Sequence, residues 1–262
     1  MKKGLWAVCV AMIVGVWGSD QGATALAGAS AFSIDARIGV SAAVALAEGH
    51  IKSVVHSLEL LAVTKDARSG RWKRIQGLLT RFKEDQIPAV VFFALPDGSY
   101  YTVEKGMTDQ NIEDRAYFPR VMAGNTTIGD LVVSKSTGKK VMVAAVPIRN
   151  EGRVIGALGA SVHLEALSDL LTQQLQLPRD MVLYAIDGNE ETTALHSVTR
   201  LIFEDPEKQG SETLSAAVKE MLSKDEGVVT YVFEGNRKKA VFKKSSLLGW
   251  RFALALTTGR VE

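Results

Sequence analysis

Cysteine is almost absent from this 262-residue sequence, and its histidines are few and scattered. The single cysteine, Cys9, lies in an apolar N-terminal run, so the rest of the chain can form neither a disulfide nor a thiolate metal site. The four histidines, His50, His56, His163 and His196, show no metal-ligand spacing. We therefore expect no metal site, no cofactor and a core held together by packing alone.

A strong charge imbalance and a second long apolar run are also missing. The formal net charge is +2, which gives no support to a nucleic-acid partner. The most apolar segments after the N-terminus, 89–95 and 154–162, have strand length and are much shorter than the roughly 20 residues of a membrane-spanning helix. These absences predict a soluble protein once the N-terminal segment is removed.

The N-terminus has the order of a secretory signal peptide. Lys2 and Lys3 precede the apolar residues 5–17, and small residues follow, ending at Ala27. We predict a signal peptide over residues 1–27 and a periplasmic, or otherwise extracytoplasmic, location. An uncleaved membrane anchor is the alternative, because the polar residues 19–24 make the cleavage region unusually long.

Motifs that carry catalysis lack their usual context in this chain. The run from Ser136 to Lys139 matches the S-x-x-K pattern of serine acylases, but it lies between two strand candidates, and neither S-D-N nor K-T-G occurs. Gly152, Gly156 and Gly159 imitate a dinucleotide fingerprint within one strand candidate, where close backbone packing explains them better. Since no nucleophile, base and orienting group stand together, we predict that the protein is not an enzyme.

Helical periodicity dominates the first part of the chain after the signal peptide. Apolar residues recur mostly at steps of three and four over residues 32–62, which predicts one amphipathic helix of roughly 45 Å. A second helix, with Trp72 and Phe82 on one face, should stop before Pro88.

From Ala89 the period becomes that of strands. The runs AVVFFAL and SYYTVE flank the turn Pro96-Asp97-Gly98 and predict a hairpin. Three further candidates, DLVVSK, KVMVAAVPI and RVIGALGASVHL, complete a predicted five-stranded antiparallel sheet.

The same order of elements recurs after a linking helix over residues 165–175. The strand candidates are then MVLYAI, TTALHS, GVVTYVF, RKKAVFK and GWRFALAL, with a helix over 211–222. This predicts a structural repeat, inferred from element order rather than from sequence similarity. The basic run Arg237 to Lys239, together with Lys243 and Lys244, is typical of the solvated face of an edge hairpin, with a membrane-facing role as the alternative.

Taken in order, these segments resemble the double Cache sensor domains of bacterial chemoreceptors and sensor kinases. The resemblance rests on the long helix, the strand-PDG-strand hairpin, the segment DRAYF, the stretch STGKKVMVAAVPI followed by GRVIGALGASVHL, and the closing LGWRFALAL. It implies an α+β fold in which a long N-terminal helix carries two tandem PAS-like antiparallel sheet units. The implied divisions are a helical segment at 28–86, a membrane-distal unit at 87–164, a linking helix at 165–178 and a membrane-proximal unit at 179–262.

The resemblance also implies a small-molecule pocket in the distal unit. In DRAYF, an arginine, one residue and two aromatics look like the family motif that holds a ligand carboxylate, so Arg115, Tyr117 and Phe118 are the expected contacts. The alternative places Arg115 in solvent at a helix start beside two core aromatics. A guanidinium offers a carboxylate two parallel donors, and aromatic rings exclude water around the pair.

Three further residues are candidates for this pocket. Tyr101 is expected on the facing hairpin, where Tyr100 is the other choice. Ser161 stands where amino-acid-binding members of the family have an aspartate, which argues against α-amino acids and for a small carboxylate or a neutral polar metabolite. Strand alternation puts His163 on the same side as Ser161, with a structural histidine as the alternative.

The sequence thus predicts a periplasmic small-molecule-binding sensor module for signal transduction or chemotaxis. Its expected partners are a small ligand and a separate membrane signalling protein. The alternative function is a structural or protein-interaction module that forms a homodimer through the long N-terminal helix and binds no ligand.

Overall fold

The computed structural model describes residues 35–84, 86–189, 191–209 and 211–261. The predicted signal peptide and the first residues of the predicted long helix, 32–34, lie outside the described residues. The α-helices are α1 (Ala36–Ala62), α2 (Lys65–Arg68), α3 (Trp72–Glu84), α4 (Tyr117–Met122), α5 (Leu164–Leu175) and α6 (Glu212–Ser223). The strands are β1 (Ala89–Ala94), β2 (Ser99–Thr102), β3 (Gly106–Asn111), β4 (Thr127–Val133), β5 (Lys140–Asn150), β6 (Arg153–His163), β7 (Met181–Asp187), β8 (Thr192–His196), β9 (Glu226–Phe233), β10 (Asn236–Lys244) and β11 (Arg251–Arg260).

The long helix α1 is continuous and packs on both sheets. Its N-terminus is capped by Asp35, whose carboxylate accepts a hydrogen bond from the Arg37 amide at 2.8 Å. The buried stripe includes Val40, Ile51 and Leu58, and the helix contacts β5 and β6 of one sheet and β10 and β11 of the other. The predicted helix that contacts both sheets is therefore confirmed over the described residues.

The distal unit is built on an antiparallel sheet with the strand order β3-β2-β1-β6-β5-β4. The prediction of five strands was wrong, because β3 pairs with β2 through Thr102 and Gly106 and through Tyr101 and Met107. The β3 sequence, GMTDQN, is polar and mostly exposed, so it lacks the alternation by which a half-buried strand is recognised.

The two faces of the distal sheet pack against different helices. Phe93, Leu158 and Ala160 face α1 and belong to the main core. Residues one position away, such as Phe92 and Ala157, face the opposite side, where α4 covers them.

The proximal unit repeats this arrangement. Its strand order, β8-β7-β11-β10-β9, matches β2-β1-β6-β5-β4 strand for strand, and α6 takes the place of α4. The predicted repeat is therefore confirmed, with β3 as an addition to the first copy.

Of the described helices, α1 alone has the length and hydropathy that a membrane span would need. In its most apolar 18-residue stretch 44% is buried in the protein, and core helices of soluble proteins can be equally long and apolar.

Candidate ligand-binding site

A small cavity lies in the distal unit between the sheet and the segment that enters α4. Its volume is about 20 Å³, roughly the space of one water molecule. The lining residues include Arg115, Tyr117 and Ser161 from the sequence prediction, together with Phe92, Tyr100 and Lys135.

Two cationic side chains at the mouth of this cavity join the β3–α4 segment to the end of β4 and the β4–β5 turn. Arg115 precedes α4, and its Nη2 donates a hydrogen bond to the Val133 carbonyl at 2.8 Å. In the opposite direction, the Lys135 Nζ donates to the Asn111 carbonyl at 2.7 Å and to the Asp114 carboxylate at 2.6 Å. The bond from Lys135 holds the pKa of Asp114 below its ordinary value. The β3–α4 segment and the β4–β5 turn are thus fastened to each other by side chains that carry positive charge.

Neutral aromatic groups form the inner wall. Tyr117 is buried, and burial raises the pKa of its hydroxyl well above the ordinary range, so the group stays protonated at neutral pH. The ring of Tyr100 meets Phe92 edge to face, with the centroids 6.1 Å apart.

Ser161 lies on the floor of the cavity. It pairs with Val90 on one side and with Val143 on the other, and its side chain is buried. The cavity lining contains no carboxylate among the described residues, so nothing there offers an ion pair to a ligand ammonium.

Three predicted contacts lie elsewhere. The placement of Tyr101 in the pocket is wrong: its ring is on the α1 face of the sheet, stacked on Trp72 at 4.9 Å. Phe118 is buried in the core between α4 and the sheet and does not line the cavity. His163 shares the face of Ser161 but lies at the end of β6, outside the cavity lining.

One ring nitrogen of His163, the buried Nε2, has no hydrogen-bond partner in the described part of the chain. Burial, reinforced by Lys139, lowers the pKa of this histidine. The imidazole is therefore held in its neutral form against the end of the sheet.

Sequence reasoning missed Lys135 and left Tyr100 undecided. The alternation of β2 relative to β1 would identify Tyr100, but only after the pairing of Phe93 with Tyr101 fixes the register. Lys135 follows β4, and only the folded β4–β5 turn brings it to the β3–α4 segment.

Known proteins match this chain in structure but not in sequence. No protein-family model matches the sequence, and no curated protein matches it significantly. Solved structures do match. The sensory domain of a Campylobacter jejuni chemoreceptor with isoleucine bound has a TM-score of 0.61 at 12% identity, over 85% of this chain and 89% of that chain.

Two Pseudomonas domains give the same result. The ligand-binding domain of a P. aeruginosa amino-acid chemoreceptor in complex with L-arginine has a TM-score of 0.62 at 16% identity, over 85% of this chain and 92% of that chain. The ligand-binding domain of a P. fluorescens chemoreceptor in complex with L-isoleucine has a TM-score of 0.64 at 14% identity, over 85% and 90% of the two chains. With two matching sheet units on one long helix, this chain has the double Cache fold of bacterial sensor domains.

Proposed function

We propose that this protein is the extracytoplasmic ligand-binding module of a sensor and that its distal unit binds a small carboxylate. The observation that carries the proposal is the charge of Arg115, which lines the distal cavity and forms no ion pair within the described ranges, whereas Lys135 beside it is paired with Asp114 outside the lining. Tyr100 and Tyr117 beside them exclude water, which strengthens an ion pair formed there.

The distal cavity is too small for a carboxylate ligand unless part of the protein moves. About 20 Å³ holds one water, so a carboxylate enters only when the β3–α4 segment separates from the β4–β5 turn. The hydrogen bonds of Arg115 to Val133 and of Lys135 to Asn111 then break, and so does the ion pair of Lys135 with Asp114. A ligand carboxylate is a stronger acceptor than the two carbonyls, and it takes the place of the Asp114 carboxylate beside Lys135.

The chemistry of Ser161 narrows the ligand class. Solved domains of this fold bind isoleucine and L-arginine, whereas here the described lining offers no carboxylate to an ammonium. We therefore favour carboxylates without an α-amino group. No histidine or carboxylate among the described lining residues could activate Ser161 as a nucleophile, which supports sensing rather than catalysis.

The first prediction concerns the affinity of Arg115→Ala for small carboxylates. Removal of a charge-assisted contact worth roughly 1.5–3 kcal/mol should weaken binding by about tenfold to a hundredfold. Arg115→Lys should also bind weakly, because an ammonium lacks the two parallel donors of a guanidinium. The measurement is isothermal titration calorimetry with propionate, pyruvate and lactate, and with L-alanine as the amino-acid counterpart.

Arg149→Ala is the matched control. Arg149 is an exposed arginine of the same unit that donates to the Gly124 carbonyl, away from the cavity. Equal affinity of wild type, Arg115→Ala and Arg115→Lys, or tighter binding of L-alanine than of lactate, would contradict the proposal.

A further inference from the structure

A second and larger cavity lies in the proximal unit. It is formed by the sheet face that turns away from α1 and by the connection from β8 to α6, and its volume is about 130 Å³. The distal cavity, at about 20 Å³, occupies the matching face of the first copy of the repeat. The proximal cavity has room for a ligand without any movement of the protein.

Most of the proximal cavity wall is apolar or aromatic. Val182, Leu201 and Phe233 contribute aliphatic and aromatic surface, and Tyr184 and Tyr231 stand beside them. Burial raises the pKa of both tyrosines, that of Tyr231 to about 12, so both hydroxyls are neutral. Such a wall accepts the flat apolar body of a ligand.

Lys238 adds a positive charge to this apolar wall. Strand alternation in β10 turns Lys238 and the buried Ala240 toward the cavity, whereas Arg237 and Lys239 face the other way and are exposed. The expectation that the whole basic run is a solvated face is therefore wrong for Lys238. Its Nζ donates to the Thr257 hydroxyl at 3.1 Å and forms no ion pair within the described ranges.

The two acidic residues of the lining, Glu204 and Glu234, are exposed, and neither forms an ion pair with Lys238 in the described structure, although Glu234 acts on it electrostatically. Glu234 is paired with Arg200 at 2.7 Å, and both side chains are exposed at the rim. Glu204 accepts a 3.4 Å hydrogen bond from Gln209. Lys238 is thus the cation available to an anionic group inside the cavity.

His196 supplies a neutral donor. Its Nδ1 accepts a hydrogen bond from the Val198 amide at 2.8 Å, so the neutral ring carries its proton on Nε2. The ring also stacks on Tyr184, with the centroids 5.8 Å apart. Nε2–H is therefore the polar hydrogen of this ring that remains for a ligand acceptor.

We propose that the proximal unit is a second ligand site, one that takes a planar aromatic monocarboxylate with its ring against Tyr184 and its carboxylate toward Lys238. The site is distinct from the Arg115 cavity and rests on different residues. The two units would then bind two classes of ligand: the distal unit a small carboxylate and the proximal unit an aromatic acid.

The test measures binding of benzoate, nicotinate and the neutral isostere benzamide by saturation-transfer NMR and calorimetry. Lys238→Met keeps the apolar stem and removes the charge, so benzoate and nicotinate should bind about tenfold more weakly or worse, whereas benzamide should change little. Lys239→Met, on the opposite face of the same strand, is the matched control and should leave all three affinities unchanged.

A second variant blocks the space instead of the charge. Val198 lines the cavity and is 38% exposed, so Val198→Trp can be accommodated by the fold while its indole fills the entrance. It should abolish binding of all three probes, with circular dichroism melting as the check on folding.

The outcomes separate this proposal from that for the distal site. Benzoate binding that survives Arg115→Ala but not Lys238→Met supports the proximal site, even if no small carboxylate binds to the distal one. Failure of both aromatic acids to bind the wild type, or equal affinity of the wild type and Lys238→Met, would overturn it. So would loss of benzoate binding in Arg115→Ala alone, because the probe would then occupy the distal cavity.

Discussion

At the scale of single residues, the two units place a cation beside a pair of tyrosines on the face away from α1. In the distal unit Arg115 stands with Tyr100 and Tyr117, and in the proximal unit Lys238 stands with Tyr184 and Tyr231. The cation differs in its geometry. A guanidinium suits two-pronged binding of a small carboxylate, whereas an ammonium acts as a point charge beside a larger apolar surface.

At Gly159, the absence of a side chain leaves room for the Phe92 ring in the distal cavity wall. A Cβ atom at this position would lie 2.1 Å from Cζ of Phe92, whose ring lines the cavity. The interpretation of Gly152, Gly156 and Gly159 as sites of close packing is supported here and at Gly156, where a Cβ would come within 2.5 Å of the Ala94 carbonyl oxygen. It is wrong for Gly152, which lies in the β5–β6 turn at a φ of 78° with nothing within 4 Å of its Cβ position.

We predict that Gly159→Ala destabilises the protein by about 1–3 kcal/mol, because the added methyl group forces the Phe92 ring out of place. The free energy of unfolding in urea measures the change. Gly49→Ala is the control: it lies in α1 with nothing within 4 Å of its Cβ position, so it should stabilise the helix by up to about 1 kcal/mol. A Gly159→Ala variant as stable as the wild type would refute the packing argument.

At the scale of elements, one buried carboxylate joins α1 to the proximal sheet. Glu48 of α1 accepts hydrogen bonds from the Ser245 hydroxyl at 2.9 Å and from the Leu247 amide at 3.2 Å, both in the β10–β11 turn. Lys52, one helical turn further on, donates to its other oxygen at 3.0 Å. Burial pushes the pKa of Glu48 upward, but the bonds from Lys52, Ser245 and Leu247 outweigh it and leave the pKa lowered.

Glu48→Ala should destabilise the protein by roughly 1–3 kcal/mol, since it leaves buried donors of the β10–β11 turn without an acceptor. The measurement is again urea unfolding at pH 7, with Ser53→Ala on the exposed side of α1 as the control. A lowered carboxylate pKa adds stability that is present above the ordinary value of 4.5 and is lost as the pH falls below it. The difference between the wild type and Glu48→Ala should therefore shrink in acid, and a difference that persists would contradict the assigned cause.

At the scale of the whole molecule, two half-buried neutral histidines, His163 and His196, link stability to pH. Burial is the main cause that lowers the pKa of His196 to about 4, and the nearby Lys238 and Arg200 act in the same direction. The pKa of His163 is lowered too, again chiefly by burial. The unfolded chain, with an ordinary histidine pKa of 6.5, binds these protons more readily than the folded one.

The sign of the effect follows from that difference. Stability should be constant with respect to these groups above pH 6.5 and should fall as the pH drops from 6.5 toward 4, by about 3 kcal/mol for His196. His196→Asn, which keeps an acceptor for the Val198 amide, should flatten the profile in this window. The measurement is the free energy of unfolding of both proteins at pH 7, 6 and 5. Parallel pH profiles for His196→Asn and the wild type would contradict the assignment.

Hydrophobic periodicity and turn residues predicted most of the architecture from the sequence. The stripe of α1, the Pro96-Asp97-Gly98 turn and the order of the later strands depend on local spacing, so they predicted the helix, the hairpin and the repeat. The polar β3 carries no such pattern, and its place in the sheet depends on hydrogen bonding to β2.

What the sequence determined, then, was the element order, the double Cache resemblance and the choice of Arg115 and Tyr117 beside Ser161, because chain spacing and residue chemistry are local properties. Tertiary structure decided which side chain of each neighbouring pair faces a cavity. Tyr100 rather than Tyr101, and Lys238 rather than Lys239, turn inward. It also decided the volumes, about 20 Å³ in the distal unit and about 130 Å³ in the proximal one. Register and packing between distant segments fix both, and a shift of one residue in a strand would reverse every such choice.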